Sequence, residues 1–300
     1  MKKSNLVVSF LLLSLLLAGC GKSTNDNEKT TVKNNNITIN NKKDEVIDQK
    51  LDQLEYKSGD QAYIEINNNK ANLKTTDWKY NHVVYADLDN MNRTSAGNIA
   101  YLEHRNLANG SLRSTQRVEP TAWHQKFVNG SAIINRGHEI AYSVSGGISL
   151  DGSYKPGLKS GDQNNIKNLF TQSAFSNQKV QTIYETKVRD ALKEGKKVIY
   201  KVTPIFKGNN LMASGVHMQA LSTDETLNFN VYLYNVQPGV QFDYATGRSK
   251  VDKNMSVPTP EGAPNFNNNH RSYKNNHHYV RNYRHYNNYH EYHHNYHHYR

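Results

Sequence analysis

Two stretches decide the fold: IINRGHEIAYSV (residues 133–144) and NIKNLFTQSAFSNQ (residues 165–178). The first opens with two isoleucines that lead into Asn135-Arg136-Gly137-His138, as a strand that enters a polar site does. The second leads into a segment with helical spacing that carries Glu185 and Arg189. A strand, a loop and a helix in this order bring polar side chains together, so the block predicts a site at their junction.

The residue types in this block suit a hard cation beside a general base. A neutral imidazole such as that of His138 takes a proton from water near neutral pH. Amide and carboxylate oxygens are ligands that Mg²⁺ accepts while it keeps most of its waters. Asn168, Asn177 and Glu185 are nine and then eight residues apart. If Asn177 begins the helix, Glu185 lies two turns later on the same side, and Arg189 shares that face and can meet a phosphate.

These motifs resemble the ββα-metal DNA/RNA non-specific endonucleases, whose signature Asp-Arg-Gly-His corresponds to residues 135–138. Within that family the chain is most similar to the DNA-entry nuclease and streptodornase branch of Gram-positive bacteria. The likeness continues through PTAW (residues 120–123), GVH (residues 215–217) and NVQPG (residues 235–239), and so spans roughly residues 60–245. Several motifs in a fixed order make the resemblance specific.

The resemblance implies a Mg²⁺-dependent nuclease, with Mn²⁺ as the alternative metal, that cleaves DNA and also RNA. His138 matches the general base and Asn177 matches the direct metal ligand. Asn168 matches a supporting asparagine that would hold Asn177 or a metal-bound water. Glu185 would hold a metal-bound water.

Two arginines and one asparagine complete the implied site. Arg189 and Arg136 are candidates for phosphate contact, and a structural role is the alternative for Arg136. Asn135 departs from the family pattern, because the signature has an acid there. An asparagine keeps the size and one acceptor oxygen but loses a negative charge near the metal. An inactive relative that only binds nucleic acid therefore stays open.

Residues 1–20 are predicted to be a lipoprotein signal peptide. Lys2 and Lys3 precede an apolar run that is shorter than the ~20 residues of a membrane-spanning helix. LAGC (residues 17–20) resembles a bacterial lipobox, which implies lipidation of Cys20, cleavage before it and a place at the cell surface. The alternative is an ordinary signal peptide and a secreted protein. Cys20 is the only cysteine, which excludes an intrachain disulfide and a thiolate metal site.

Composition divides the rest of the chain into three parts. Residues 21–50 have little to bury and are predicted to be a disordered tether. Residues 51–252 are long enough for one nuclease domain with its own core. Residues 253–300 form a predicted disordered tail rich in His, Tyr, Asn and Arg. The tail allows metal binding, nucleic-acid binding, cell-wall adhesion or plain disorder.

Hydrophobic patterns within residues 51–252 predict an α+β fold, an antiparallel sheet flanked by helices with the ββα motif on one side. Strands are predicted at 62–66, 83–88, 197–206, 215–221 and 227–236, with a hairpin turn near 224–225. A helix is predicted after Asp89, through Leu102. Arg93 is expected either to bind phosphate or to pair with Asp87 or Asp89. His217, Trp123 and His124 are expected to be structural.

Charge and motif searches limit the function further. The net charge of +11 favours a polyanionic partner, although it also suits adhesion to an anionic surface. Gly146-Gly147 lacks the Lys and Ser/Thr of a phosphate-binding P-loop, and no Ser-His-Asp order is evident. No obligate protein partner is expected. The alternatives to a nuclease are a non-catalytic DNA-binding surface lipoprotein and a metal-binding lipoprotein that acts through its His-rich tail.

Overall fold

The structure is a computed structural model that describes residues 32–33, 36–37 and 44–265. The other elements pack around an eight-stranded sheet. The strands are β1 (Val32–Lys33), β2 (Asn36–Ile37), β3 (Tyr63–Ile66), β4 (His82–Val84), β5 (Asn98–Leu102), β6 (Phe127–Val128), β7 (Ser131–Ala132), β8 (Ile134–His138), β9 (Leu169–Ser173), β10 (Val198–Ile205), β11 (Gly215–Ser222), β12 (Asn228–Tyr234), β13 (Val240–Asp243) and β14 (Arg248–Val251). The α-helices are α1 (Asp44–Leu51) and α2 (Thr182–Lys193).

The large sheet has the order β1-β2-β3-β12-β11-β10-β5-β4. Its neighbouring strands run antiparallel except for the parallel pair β2–β3. Three further pairs, β6–β7, β8–β9 and β13–β14, form two-stranded sheets. The predicted α+β class with an antiparallel sheet is confirmed.

Successive residues of a strand point to opposite faces, so the central strands divide their side chains between two layers. Val231 and its neighbours pack with α2, whose buried residues recur on one face as Tyr184, Val188, Ala191 and Leu192. Tyr232 faces the other way and packs with Leu51 at the end of α1. The two helices therefore lie on opposite faces of the sheet.

A polar contact fixes α1 to its face. The Nδ1 atom of His217 on β11 lies 2.7 Å from Oδ1 of Asp48 on α1, and its Nε2 lies 2.7 Å from Oδ1 of Asn230 on β12. The amide of Asn230 is oriented because its Nδ2 donates to the carbonyl of Lys70. His217 is thus structural, as expected.

Four of the five predicted strands match β3, β10, β11 and β12, and the hairpin turn forms with Glu225 at a φ of 61°. The strand predicted at 83–88 is shorter, since β4 ends at Val84. Helix α1 begins at Asp44, inside the stretch predicted to be a disordered tether.

The helix predicted after Asp89 is wrong. The Asp89 carboxylate accepts hydrogen bonds from the backbone of Met91 and Arg93 and pairs with the Arg93 guanidinium at 2.8 Å, which closes a tight loop. The apolar residues that follow form β5, where burial alternates along residues 98–102. The alternation has a period of two, and pairing with β10 overrides the helical spacing. Arg93 also donates to the carbonyls of Gly208 and Asn210, which settles its role as structural.

The predicted signal peptide, the lipidation site Cys20 and the tail beyond residue 265 lie outside the described residues. Within residues 32–33, 36–37 and 44–265, none of the helices combines the length and the apolar character that crossing a bilayer requires.

Candidate active site

The strand pair β8–β9 and the helix α2 form the ββα unit. Asn135 on β8 is paired with Gln172 on β9. A π-helical turn over Ser176–Gln181 lies between β9 and α2 and contains Asn177. Single π-helical turns are frequent at functional sites. Here the turn brings Asn177 to the motif strand, where its Oδ1 accepts a hydrogen bond from Asn135 Nδ2 at 3.2 Å.

A chain of side-chain amides runs from Asn177 to the helix acid. Asn177 Nδ2 donates to Gln172 Oε1 at 3.0 Å, and Gln172 Nε2 donates to Gln181 Oε1 at 2.9 Å. Gln181 Nε2 then donates to Glu185 Oε1 and to the backbone carbonyl of His138, each at 2.8 Å. Gln172 and Gln181 are fully buried. The chain therefore sets the spacing of the motif strand, the π-helical turn and α2.

The glycine of the motif is required for this chain. A Cβ atom at Gly137 would lie 2.4 Å from Gln172 Oε1 and 2.8 Å from Gln172 Cβ. Any other residue at position 137 would displace Gln172, which carries the hydrogen bonds between Asn177 and Gln181. The Arg-Gly-His spacing thus has a packing reason as well as a chemical one.

His138 has the environment of a base. Its Nε2 is buried and has no hydrogen-bond partner among the described residues. Burial, together with the nearby Arg113 cation, lowers the pKa of His138 to about 4, while hydrogen bonds to the backbone at Gln163 and Asp162 oppose that shift. The ring is therefore neutral at pH 7, and Nε2 can act as the base when the proton lies on Nδ1.

Two arginines act on the helix acid. Burial raises the pKa of Glu185, while the hydrogen bond from Gln181 and the charges of Arg189 and Arg113 oppose that rise. Arg189 is half-buried and donates to Thr186 Oγ1 at 2.8 Å. Arg113 was missed by the sequence analysis. It is exposed on the loop after Leu112, its guanidinium lies 4.6 Å from the centre of the Tyr142 ring, and its charge acts on both His138 and Glu185.

The amide of Asn168 contacts the segment after His138, not Asn177. Its side chain is fully buried, and its Oδ1 accepts from the backbone N–H of Ile140 at 2.8 Å. Its Nδ2 donates to the Ile140 carbonyl at 3.0 Å and to Asp162 Oδ2 at 3.1 Å. The amide is used by the segment that follows His138 instead of by Asn177. Asn168 therefore holds the backbone next to the base.

Arg136 also turns away from the amide chain. Its guanidinium lies 4.3 Å from the centre of the Trp123 ring, its Nε donates to the Val118 carbonyl, and one of its terminal nitrogens is 4.0 Å from Glu119. These contacts tie residues 118–123 to β8. They support the structural alternative for Arg136 over direct phosphate contact.

The oxygen atoms at the site fit a hard divalent cation. The amide oxygen of Asn177 uses one lone pair for Asn135 and keeps the second, and the Glu185 carboxylate lies at the other end of the amide chain. Among residues 32–33, 36–37 and 44–265, no three His, Cys, Asp or Glu side chains cluster as metal ligands. An ion held by one amide oxygen, a nearby carboxylate and water is the coordination typical of Mg²⁺.

Comparison with known proteins finds similar nucleases. The model of the DNA/RNA non-specific endonuclease family matches residues 157–224. NucA from Streptococcus agalactiae, solved with magnesium bound, is 30% identical over 64% of this chain and 87% of NucA, with a TM-score of 0.54. The metal-free NucA structure gives the same values. The Sda1 nuclease with bound zinc matches at 19% identity over 64% of this chain and 97% of Sda1, with a TM-score of 0.47.

The similarity to NucA spans most of that nuclease at 30% identity. The family predicted from the motifs is confirmed. The chain belongs to the DNA/RNA non-specific endonuclease family.

Proposed function

We propose that the chain is a divalent-metal-dependent endonuclease that hydrolyses phosphodiester bonds of DNA and RNA with His138 as general base. The observation that carries the proposal is the buried, unpartnered Nε2 of a neutral imidazole beside the amide chain that ends on Asn177 and Glu185. A buried lone pair without a donor costs free energy unless a substrate uses it. Attacking water supplies that donor.

In the proposed reaction, His138 Nε2 takes a proton from water as the water oxygen bonds to phosphorus. The bond from phosphorus to the 3′ oxygen breaks, and that oxygen takes a proton from solvent. Gln181 holds the backbone of His138, and Asn168 holds Ile140, so the ring is positioned from both sides of the motif. Arg189 and Arg113 supply positive charge for the phosphate.

Asn177, assisted by Glu185, would hold the cation. Mg²⁺, or Mn²⁺ as the alternative, supplies Lewis-acid stabilisation of the charge that develops on the phosphate oxygens. Asn135 donates to the same Asn177 oxygen, which weakens that oxygen as a ligand relative to an unshared amide. Because contacts to the phosphate backbone carry no sequence information, the cleavage is expected to be non-specific.

We further propose that the protein acts outside the cell, held at the surface through a lipid on Cys20. This rests on the sequence LAGC at residues 17–20 and the preceding apolar run. Metabolic labelling with a fatty acid analogue tests it, and Cys20→Ala should lose the label and shift the protein from the membrane fraction to the medium. Labelling that survives Cys20→Ala would reject the anchor.

Digestion of plasmid DNA and of RNA over a Mg²⁺ series, with a chelator control, tests the activity. Asn177→Ala should raise the Mg²⁺ concentration needed for half-maximal cleavage, and it should weaken Mn²⁺ binding measured by calorimetry in the absence of substrate. Asn254→Ala, an exposed position far along the chain, is the matched control. Equal Mn²⁺ binding by Asn177→Ala and the parent would remove Asn177 as the ligand.

A binding-only protein is the alternative that Asn135 favours, because the signature acid is absent. Asn135→Asp replaces the donor to Asn177 with a carboxylate and adds a negative charge near the cation. If the parent is active, the variant should need less Mg²⁺. A parent that binds but does not cut DNA, with cleavage switched on by Asn135→Asp, would establish the alternative.

A further inference from the structure

A groove of about 570 Å³ lies beside the motif strand and is not part of the chemistry described above. It is lined by Glu119, Trp123, His124, Gln125, Lys126, Arg248 and Ser249. The groove is open to solvent and lies between two chain segments, the loop before β6 and the strand β14. Its volume is in the range of sites that take part of a small molecule or a few units of a polymer.

The groove wall is fixed to the catalytic strand. Gln125 Nε2 donates to the carbonyl of Ile134 on β8 at 2.8 Å, so the wall moves with the strand that carries His138. Trp123 packs with the core of Ile133, Ile134, Met212, Val240 and Phe242, and the Arg136 guanidinium covers its ring. A rigid wall with an aromatic residue at its base is a built surface and not a gap between mobile loops.

The cations of the groove are exposed. Lys126 Nζ reaches across to the carbonyl of Ser249 at 3.2 Å, a neutral partner that it can exchange for a phosphate oxygen. Arg248 is exposed on β14, and Lys250, two residues later, shares its side of the strand. The acid on the wall is Glu119, which lies 4.0 Å from the Arg136 guanidinium. The groove therefore presents positive charge to a ligand.

The groove wall is linked to the strand of the proposed base through Arg136. Arg136 stands two residues before His138 on β8, a distance of ~7 Å along a strand. Its Nε donates to the Val118 carbonyl, and its guanidinium covers the ring of Trp123 in the groove wall. These contacts place the groove wall beside the strand that carries the proposed base.

We propose that the groove is a subsite for the nucleic-acid strand that flanks the cleaved bond, with Lys126 and Arg248 as its phosphate contacts. This inference rests on the proposed nuclease function. It predicts that the enzyme binds long substrates better than short ones through residues that take no part in bond cleavage. Phosphate contacts of this kind position a substrate and are sensitive to salt.

The test compares Lys126→Ala/Arg248→Ala with the parent on two substrates, a 30-nucleotide single strand and a chromogenic phosphodiester of one nucleotide. The ratio of kcat/KM for the long substrate to that for the short one should fall about tenfold. The salt slope of long-strand binding should decrease by up to ~0.7 for each lost phosphate contact. Lys57→Ala/Lys70→Ala, two exposed lysines near β3, removes the same charge elsewhere and should keep the ratio.

The outcomes separate the two proposals. A parent that cleaves neither substrate refutes the proposed function and not the groove alone. The groove proposal is refuted if the parent cleaves both substrates and the ratio of kcat/KM values is unchanged in the groove variant. It is also refuted if the control variant loses the same factor in this ratio. Cleavage of the short diester by each variant shows that the cleft is folded, and Lys126→Glu/Arg248→Glu should deepen the loss on the long strand.

Discussion

Two histidines lie on different sheets, and their surroundings differ: His217 is buried on β11 of the large sheet, and His138 is half-buried on β8 of the two-stranded pair. His217 has an oxygen atom within 2.7 Å of each ring nitrogen. His138 has a buried Nε2 without a partner among the described residues. A satisfied polar network stabilises a fold, whereas unsatisfied buried groups are kept where a ligand completes them. The pairing of each nitrogen, more than burial, separates the structural histidine from the proposed base.

Removing His138 should have the largest effect on activity. His138→Ala is expected to lower kcat by ~10²–10⁴, the usual cost of a lost general base, while DNA binding persists. Initial rates on plasmid DNA and filter binding at the same salt concentration measure the two quantities. The exposed His104→Ala is the control and should cut like the parent. Unchanged cleavage by His138→Ala would reverse the comparison between the two histidines.

Removing His217 should affect stability instead. His217→Ala leaves Asp48 and Asn230 without their partner, and we expect the free energy of unfolding to fall by roughly 2–4 kcal/mol. Urea denaturation followed by circular dichroism measures this, with the exposed Asn254→Ala as the control, expected within about 0.5 kcal/mol of the parent. The specific activity of the folded variant should remain. A stable but inactive His217→Ala would show that the far face contributes to the chemistry.

Glu139 should make the catalytic side sensitive to alkaline pH. Burial raises the pKa of its carboxyl well above the usual range, against weaker lowering by Thr94 and the Asn98 backbone. A raised folded-state pKa gives stability that is complete below the unfolded value and is lost as pH rises through the folded value. Glu139→Gln, neutral at every pH, should therefore unfold at a higher temperature than the parent at pH 8, with the gap closing towards pH 4.

Thermal unfolding of the parent and of Glu139→Gln at several pH values checks this expectation. The exposed Glu261→Gln is the matched control and should follow the parent. A gap that is constant with pH would mean that packing at position 139, and not its charge, sets the difference.

Arg113 should produce the smallest effect, a shift in a pH profile. Arg113 and burial both lower the pKa of His138, so the base is neutral from pH 7 down to near 4 and cleavage is lost only as pH falls through that range. Arg113→Gln removes one cause, so the acid limb of kcat/KM should move to higher pH. Arg117→Gln, an exposed arginine on the same loop, should leave the limb in place. Equal profiles for both variants would show that burial alone sets the base.

The sequence predicts the motif strand and helix better than the buried amides that connect them. The order of His138, Asn177 and Glu185 predicts a strand, a loop and a helix that meet at a site, because strand and helix periods and motif spacing are local properties. The resemblance of the motifs to the nuclease family adds the ββα unit. Gln172 and Gln181 were not identified, since a glutamine in a strand or a helix has no pattern that distinguishes a buried amide from a solvated one. Their roles arise only when β9 and α2 meet.

Two further differences have the same cause. Asn168 was expected beside Asn177, but the turn before β9 directs its amide to Ile140, and spacing along the chain does not report direction. The segment around Ile99 has helical spacing and strand alternation at once, and the partner strand β10 decides between them. Tertiary pairing, absent from a local pattern, accounts for each case.

The docking of α1 has a consequence for how the enzyme meets its substrate. The chain joins the sheet at its β1–β2 edge and then packs α1, through Asp48 and Leu51, on the face opposite α2. An enzyme held at a surface by its N-terminal segment would therefore turn its α1 face towards that surface. The cleft on the α2 face would open away from the surface, where long nucleic-acid strands can bind without entering the space between the protein and the surface.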